Sequence, residues 1–581
     1  MSKVMDKREV KGSEKKRDEG ILKRSPFDLL FNQIQRKTSN ADKRKSSSVS
    51  RFFRGLEADK SKSEDEKENK ENEESDCQPD VPKKDGNYDA SATEKQNSIL
   101  EISSGWEKVK QFMEKFEKKP NINCLNLNNC GLTASDIMEL VTLLPFLPEL
   151  EEFDISWNDF VGGALKPVAI QLHHIGKLKI LKMNNCRLTT DDIEALGESL
   201  DYVPYLENLD LSWNGNVGGN LHLLTSKFQR NCKLKVLKLT DCNLTSEDGT
   251  FLAKALGVMH NLEMLDLSMN TSLGSSLENI AQELKNIPCL RGLKLQMCGL
   301  NQDSLQFLSA AFKVLTELRK LDLSSNKAIG GGFPNSSAEL STLKQLQVLD
   351  IHKCGITEND MAALTQVVPL LSSLEVLNIS SNRQIGGFSL NLFSRLRFLP
   401  KLKSVCVSHC ALTEEAFAAL AETLFHLLEL EQLDLSWNKC VGGQLTKLLD
   451  TLKHTTALRE LKLSSCNLVD KDVAVLASLA QTGHLGTLQK LDLSYNIAVS
   501  GDGWSSFFQC LVAMTDLAEL DFSLQPSASQ ECGTWINSLL ENVKKMPNLK
   551  ELGMQRWAFT AAQLGQLESF KKDNKRNIEI D

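Results

Sequence analysis

The chain has 581 residues and a formal charge of −8, with 41% apolar and 25% charged residues. The charge is uneven, because residues 1–55 hold 16 Lys and Arg against 7 Asp and Glu, whereas residues 56–80 hold 4 against 11. The remainder is mildly acidic, which argues against binding of a nucleic acid backbone by that part. No run approaches 18 apolar residues and the amino terminus is charged, which argues against a membrane span and a signal peptide.

Residues 1–98 are expected to form a disordered leader, because they are rich in Lys, Glu, Ser, Asp and Asn and offer little apolar surface to offset the entropy of ordering. Inside this leader, four side chains follow the i, i+3, i+4, i+7 spacing of one apolar helix face: Phe27, Leu30, Phe31 and Ile34. Such a face suits a helix that docks on a partner, although chance also produces this spacing.

A basic run, KRKSSSVSRFFR, occupies residues 43–54. Its four serines lie among basic residues, where a basophilic kinase would act: Ser46, Ser47, Ser48 and Ser50. Phosphate there would cancel the local positive charge, and the alternative interpretation is a solvated tail. The three-residue basic cluster 43–45 leaves a nuclear location open beside the cytoplasmic one that we expect.

Residues 99–120 predict an amino-terminal helical cap. Ser104 and Glu107 form a capping box, and the following apolar residues share one helix face: Trp106, Val109, Met113 and Phe116. The first unit of a stacked array needs such a lid, so Trp106 is interpreted as cap core rather than as a ligand contact.

From residue 121 to residue 570 the chain repeats one unit. On the template L-x-x-L-x-L-x-x-(N/C)-x-L, the first position recurs with a step of 28 residues at Ile122, Leu150, Leu178, Leu206, Leu234, Leu262, Leu290, Leu318, Leu346, Leu374, Leu402, Leu430 and Leu458. Looser copies start at Leu488, Leu517 and Leu549, which gives about 16 units. A fixed period in this range predicts a solenoid of stacked strand–helix units, followed by a carboxyl-terminal tail over residues 571–581.

The ninth template residue alternates between two types. It is Cys at Cys130, Cys186, Cys242, Cys298, Cys354, Cys410 and Cys466, and Asn at Asn158, Asn214, Asn270, Asn326, Asn382, Asn438 and Asn496. This paired pattern resembles the ribonuclease-inhibitor class of leucine-rich repeats. The resemblance implies an α/β horseshoe with a parallel β-sheet on its concave side, helices on its convex side, and protein partners.

Local signals support the strand–helix unit. Thr133, Thr245 and Thr357 each precede an acidic residue by three positions, which predicts helix starts. Glycine pairs follow the Asn-type strands, as at 162–163, and are interpreted as turns because no Lys follows them in the spacing of a phosphate-binding loop.

Side chains at template positions three, five and seven are expected to form the concave wall. Position five alternates in charge from Asp154 to Asp322, so parallel neighbours would neutralise one another in what we call the charge ladder. The alternation breaks where Asp350 follows Asp322 and where Asn378 and Cys406 lack charge.

Large side chains recur at position eight, where each strand ends. Trp157, Trp213, Met269, Trp437 and Tyr495 are of the types that dominate interface energetics. With Ile180, Val236 and Met264 at exposed template positions, the first two tryptophans predict an apolar patch on the amino-terminal half of the array. The alternative is that the rings fold onto the glycine-rich turns.

The sequence offers no catalytic, cofactor or metal set. His352 and His409 lie on the wall two units apart, without Cys or acid at metal-ligand spacing. The periodic cysteines lie roughly 10 Å apart on the strand spacing, too far for disulfides, and are expected to be reduced core residues.

We therefore expect a non-enzymatic intracellular scaffold, monomeric and without cofactor, that binds a protein partner through its concave face. Two alternatives use the same repeat class: a ribonuclease inhibitor in the strict sense, and a GTPase activator of the Ran type. The first is disfavoured by the balanced wall, and the second by the lack of an obvious Arg at a strand end.

Overall fold

The computed structural model describes residues 122–229, 232–573 and 578–580. The predicted leader, its four candidate phosphorylation sites and the predicted helical cap lie outside the described residues. Within the described ranges, no helix is both long and apolar enough to cross a bilayer.

The strands stack into one parallel sheet with the repeat period of the sequence. β1 to β15 are Cys124–Asn126, Glu152–Asp154, Ile180–Lys182, Asn208–Asp210, Val236–Lys238, Met264–Asp266, Gly292–Lys294, Lys320–Asp322, Val348–Asp350, Val376–Asn378, Ser404–Cys406, Gln432–Asp434, Glu460–Lys462, Lys490–Asp492 and Glu519–Asp521. β17 (Glu551–Gly553) and β19 (Glu579–Ile580) complete this 17-stranded sheet, while β16 (Gln530–Glu531) and β18 (Trp557–Ala558) form a separate pair. The predicted solenoid is confirmed.

The helices cover the opposite side of the sheet. In chain order α1 to α16 are Ala134–Leu143, Lys166–Gln171, Thr190–Ser199, Leu221–Thr225, Ser246–Leu256, Leu277–Leu284, Gln302–Phe312, Ser337–Leu340, Glu358–Val367, Leu390–Arg395, Glu414–Leu424, Leu445–Leu452, Asp470–Gln481, Gly501–Phe508, Trp535–Val543 and Ala561–Asp573. Capping boxes begin α1, α5 and α9 at the three predicted threonines, each with an Asp at the third helical position. Thr189 begins α3 in the same way.

The two residue types at template position nine hold consecutive units together. The buried Asn214 accepts hydrogen bonds from the backbone N–H groups of Cys186 and Leu188 at 3.1 Å each. Its side-chain amide donates to the carbonyls of Met183 and Leu211 at 2.8 Å. The buried Cys186 thiol in turn donates 3.2 Å to a carbonyl of the preceding unit. The side chains at position nine therefore link consecutive units, because they hydrogen-bond backbone N–H and carbonyl groups that the sheet leaves unpaired.

The glycine pairs allow close contact between units. A Cβ on Gly162 would lie 2.0 Å from the carbonyl oxygen of Arg187, so no other residue fits there. Gly163 has a φ of +82°, and its N–H donates 2.6 Å to Asp192 at the start of α3. The predicted turns are thus also contact points between units.

Aromatic packing closes the carboxyl-terminal end of the array. Trp504 stacks on Phe508 with ring centroids 5.7 Å apart, Phe508 contacts Trp535 at 5.3 Å, and Trp535 contacts Trp557 at 4.9 Å. The array was predicted to end at residue 570, but β19, from the predicted tail, pairs with β17 and adds a last strand.

Candidate functional site

The strand-end edge, formed by the residues at template position eight, has an unusual backbone. All of these residues from the first unit to the unit of β14 have a positive φ: Asn129, Trp157, Asn185, Trp213, Asp241, Met269, Met297, Ser325, Lys353, Ser381, His409, Trp437, Ser465 and Tyr495. Left-handed backbone is costly for bulky side chains. In this edge, backbone hydrogen bonds to the next unit hold the left-handed conformation. The N–H of Trp157 donates to the carbonyl of Asn184 at 2.7 Å, and the N–H of Trp213 donates to the carbonyl of Thr240 at 2.7 Å.

Trp157 and Trp213 form an exposed aromatic pair on this edge. Their ring centroids lie 6.4 Å apart, with the ring planes tilted by 42°, although one unit separates them in sequence. The exposed fractions are 47% for Trp157 and 42% for Trp213, so the rings are not covered by the turns. Phe160, 69% exposed, follows Trp157 on the same edge. Two adjacent, half-exposed indoles on a hydrogen-bonded backbone form an accessible apolar surface.

The other predicted patch residues lie in two separate rows. Ile180, Val236 and Met264 are half-buried in the position-three row, where Val236 pairs with Met264 and Asn208 separates them from Ile180. The half-buried Met269 and the exposed Met297 continue the position-eight row beyond the aromatic pair. Rows five and seven of the wall separate the two sets, so the structure does not merge them into one surface.

A second group of rings lies on the same edge near the carboxyl end. The centroid of Trp437, which is 48% exposed, lies 6.1 Å from those of both His409 and Tyr495. We call these three residues the carboxyl-terminal cluster. Arg383 donates a hydrogen bond to the His409 ring. Burial lowers the pKa of His409 and the Arg383 charge adds to this, which favours the neutral ring.

The charge ladder lies in the predicted register. Asp154 pairs with Lys182 and Lys182 with Asp210 on neighbouring strands. Lys238 Nζ lies 3.3 Å from Asp210, and Lys294 Nζ lies 2.9 Å from Asp266. Lys182 lies closer to Glu152, at 2.8 Å, than to Asp154, at 3.7 Å.

At the predicted break in the charge ladder, polar side chains form a compact cluster. Asp322 and Asp350 are direct neighbours on β8 and β9. His352 Nδ1 lies 2.8 Å from Asp350, and Asn378 donates 3.1 Å to the same carboxylate. The hydrogen bond with Asp350 raises the pKa of His352, while its partial burial opposes this.

The periodic thiols do not have the properties of nucleophiles. Burial raises the pKa of Cys186, Cys242 and Cys354 to about 12, and the cysteines that the structure describes are free. A reactive cysteine needs the opposite shift and an accessible sulfur. Within the described ranges, no group of three or more His, Cys, Asp or Glu residues has the arrangement of a metal site.

The chain is similar to several known proteins in sequence or in fold. A family model described as Leucine Rich repeat matches residues 230–253. The ribonuclease inhibitor of Sus scrofa is 27% identical over 67% of this chain and 85% of its own length, and that of Mus musculus is 29% identical over 64% and 82%. Among solved structures, a chain of the yeast Rad7 and Elc1 complex is 18% identical with a TM-score of 0.41, covering 68% of this chain and 88% of that one.

The chain folds as a leucine-rich repeat solenoid, and its sequence is similar to those of ribonuclease inhibitors. Sequence reasoning missed two exposed arginines at strand ends of this solenoid. Arg187 lies 3.6 Å from Asp159, and Arg383 contacts His409. Each of these two arginines lies five residues after its strand, at template position ten. Phe160 was not predicted either. It lies two positions after Asn158, at the template position where the Cys-type units have a buried Leu or Ile. A large apolar residue at that position of an Asn-type unit was the available signal.

Proposed function

We propose that this solenoid is a non-enzymatic scaffold whose protein partner binds the strand-end edge and the adjoining concave wall. The aromatic pair of Trp157 and Trp213 carries the proposal. Its rings are half exposed, and the backbone that carries them is held by hydrogen bonds to the next unit. A partner therefore gains apolar contact area at a small cost in conformational entropy, as aromatic anchors at interfaces do.

The charge ladder favours a protein partner over a nucleic acid. Its lysines already face aspartates, as in the 2.9 Å pair of Lys294 and Asp266. A phosphate backbone needs uncompensated, clustered Lys and Arg. Two similar proteins are ribonuclease inhibitors by name, which supports a protein as the partner of an array of this kind.

Two alternatives have an observation in their favour. The names of the relatives favour inhibition of a ribonuclease, which an RNA-cleavage assay with added protein would detect. The exposed Arg383 at a strand end favours a GTPase activator of the Ran type, which a GTP-hydrolysis assay would detect. His409 already engages that arginine, so we rank this alternative lower.

The proposal includes a monomer in the reducing cytoplasm, with the nucleus as the alternative, and a phosphorylated leader.

The proposal is tested by affinity capture with the full chain. Asn is the matched replacement, because Asn129 and Asn185 occupy the same template position with φ values of 52° and 48°. The double variant W157N/W213N should fold normally and lose the partners that the unaltered chain retains, measured by quantitative mass spectrometry. W437N is the control at the same position, with a φ of 63° and 48% exposure. Identical partner sets for the unaltered chain and W157N/W213N would contradict the proposal.

A further inference from the structure

A groove opens on the helix side of the solenoid, away from the aromatic pair. α4 has 5 residues, whereas the corresponding helices have 8 in α6 and α12, 6 in α2 and α10, and 4 in α8. Beyond the end of α4 lies a cavity of about 520 Å³, between α3 and α5. This volume is typical of cavities that hold a ligand or an inserted side-chain cluster.

The groove has an apolar floor and walls of opposite charge. Leu223, Phe228, Phe251 and Val258 are half-buried and line its floor. α3 contributes two exposed carboxylates, and the other side contributes two exposed ammonium groups: Glu194, Glu198, Lys227 and Lys254. None of these four charges forms an ion pair within the part of the chain that the structure describes. The groove therefore has the chemistry to receive an amphipathic helix.

One segment of this chain has matching chemistry. Residues 25–37 read SPFDLLFNQIQRK, so a helix that begins after Ser25 would have Pro26 at its first position and Asp28 at its third. These are the residues that begin a helix. The apolar face found by spacing lies within the segment, and Arg36 and Lys37 end it.

We infer that residues 25–37 bind this groove as an amphipathic helix within the same molecule. The apolar face covers Phe228 and Phe251, the basic end lies at the acidic wall formed by α3, and Asp28 lies toward the ammonium groups opposite. The inference goes beyond the proposed function, because it concerns a different surface and a different occupant.

The connection is long enough for this contact. Residues 38–121 separate the segment from β1. A random coil of that length has a root-mean-square span of about 50 Å. The groove lies three to four strands from β1, about 15–20 Å along the sheet at about 4.8 Å per strand.

Hydrogen–deuterium exchange on the full chain tests the inference. Amides of residues 26–37 should exchange at least about tenfold more slowly than those of residues 45–54, and tenfold dilution of the protein should not change this. The charge reversal E194K/E198K should remove the protection. Adding R36E/K37E to that variant should restore it, because both signs are then exchanged.

E422K is the control, since Glu422 on α11 is exposed at the template position of Glu198 and the next unit has the 8-residue helix α12. This variant should leave the protection unchanged. The inference is overturned by unprotected amides in residues 26–37, by protection that depends on protein concentration, which indicates a second copy as the binding site, or by protection that survives E194K/E198K.

Discussion

Asp266 and Asp322 occupy the same template position two strands apart, yet their surroundings shift their carboxyl pKa values in opposite directions. Burial favours a raised pKa at Asp266, but hydrogen bonds from Lys294 and Ser268 and the Lys294 charge lower it overall. Burial raises the pKa of Asp322; the Ser324 hydrogen bond opposes this, and the neighbouring Asp350 adds to it. The two carboxylates therefore contribute to stability with opposite signs at neutral pH.

The difference shows that the charge on the neighbouring strand determines whether a carboxylate of the concave wall stabilises or destabilises the fold. From β2 to β7 the aspartates and lysines alternate, and this paired stretch leaves little charge for a partner. From β8 to β11 the alternation fails, and this unpaired stretch holds two adjacent carboxylates with a histidine. The aromatic pair lies on the edge of the paired stretch, so the proposed binding there would depend on ring contact rather than on charge.

The largest expected effect is a loss of stability that both stretches share. Asn214→Ala in the paired stretch and Asn382→Ala in the unpaired stretch each remove a buried amide that bonds two N–H and three carbonyl groups. Each should lower the free energy of unfolding by about 2–5 kcal/mol in denaturant titrations. Costs that differ by more than about 1 kcal/mol would show that the stretches differ in interior packing as well as in charge.

A smaller effect is expected from charge reversal in the paired stretch. Lys238→Glu places a carboxylate between Asp210 and Asp266, its register neighbours. The free energy of unfolding should fall by about 0.5–2 kcal/mol at low salt and recover partly as salt is added. Lys447→Glu, at an exposed site on α12, is the control and should be nearly silent. A salt-independent loss for Lys238→Glu would contradict the ladder.

The smallest effect is expected in the unpaired stretch. Asp350→Asn keeps the hydrogen-bonding shape, since Asn378 accepts from the backbone two residues later as Asp350 does. At pH 8 the variant should be more stable than the unaltered chain by about 0.5 kcal/mol, because a like-charge contact is gone.

The pH dependence of the stability of Asp350→Asn gives a second test of the contact between Asp350 and His352. A raised folded-state pKa for His352 means that its stabilisation is present below the unfolded pKa and is lost as pH rises through the folded value. The contribution of His352 to the stability of the unaltered chain should therefore fall between about pH 6 and 8, where histidine titrates. Asp350→Asn removes the partner and should flatten this slope in thermal melts. An unchanged slope would contradict the assigned contact.

Much of the fold follows from the sequence because the repeat fixes the register. A step of 28 residues puts Asp210 beside Lys238 without any knowledge of coordinates, and the capping threonines mark where helices begin. The periodic cysteines at position nine were also predicted as core residues. The loss of period at the carboxyl end explains why β19 was missed there.

The candidate site was less predictable, because its geometry depends on contacts between units. Local preference favours Gly or Asn at a positive φ, so nothing local indicates that Trp157 has a φ of 61°. That conformation results from the hydrogen bond to Asn184 in the next unit. The approach of the two indoles to 6.4 Å likewise depends on the side chain of the unit between them, which is Asn185.

Titration calorimetry with a purified partner recovered by capture tests the central claim most directly. The dissociation constants of the unaltered chain, W213N and W437N are compared with their melting temperatures. The proposed site predicts that W213N weakens binding at least about tenfold, or about 1.4 kcal/mol, while W437N binds normally and both variants keep the original melting temperature. Unchanged affinity of a folded W213N protein would contradict the aromatic pair as the anchor, and a W213N protein that unfolds would show that the ring belongs to turn packing.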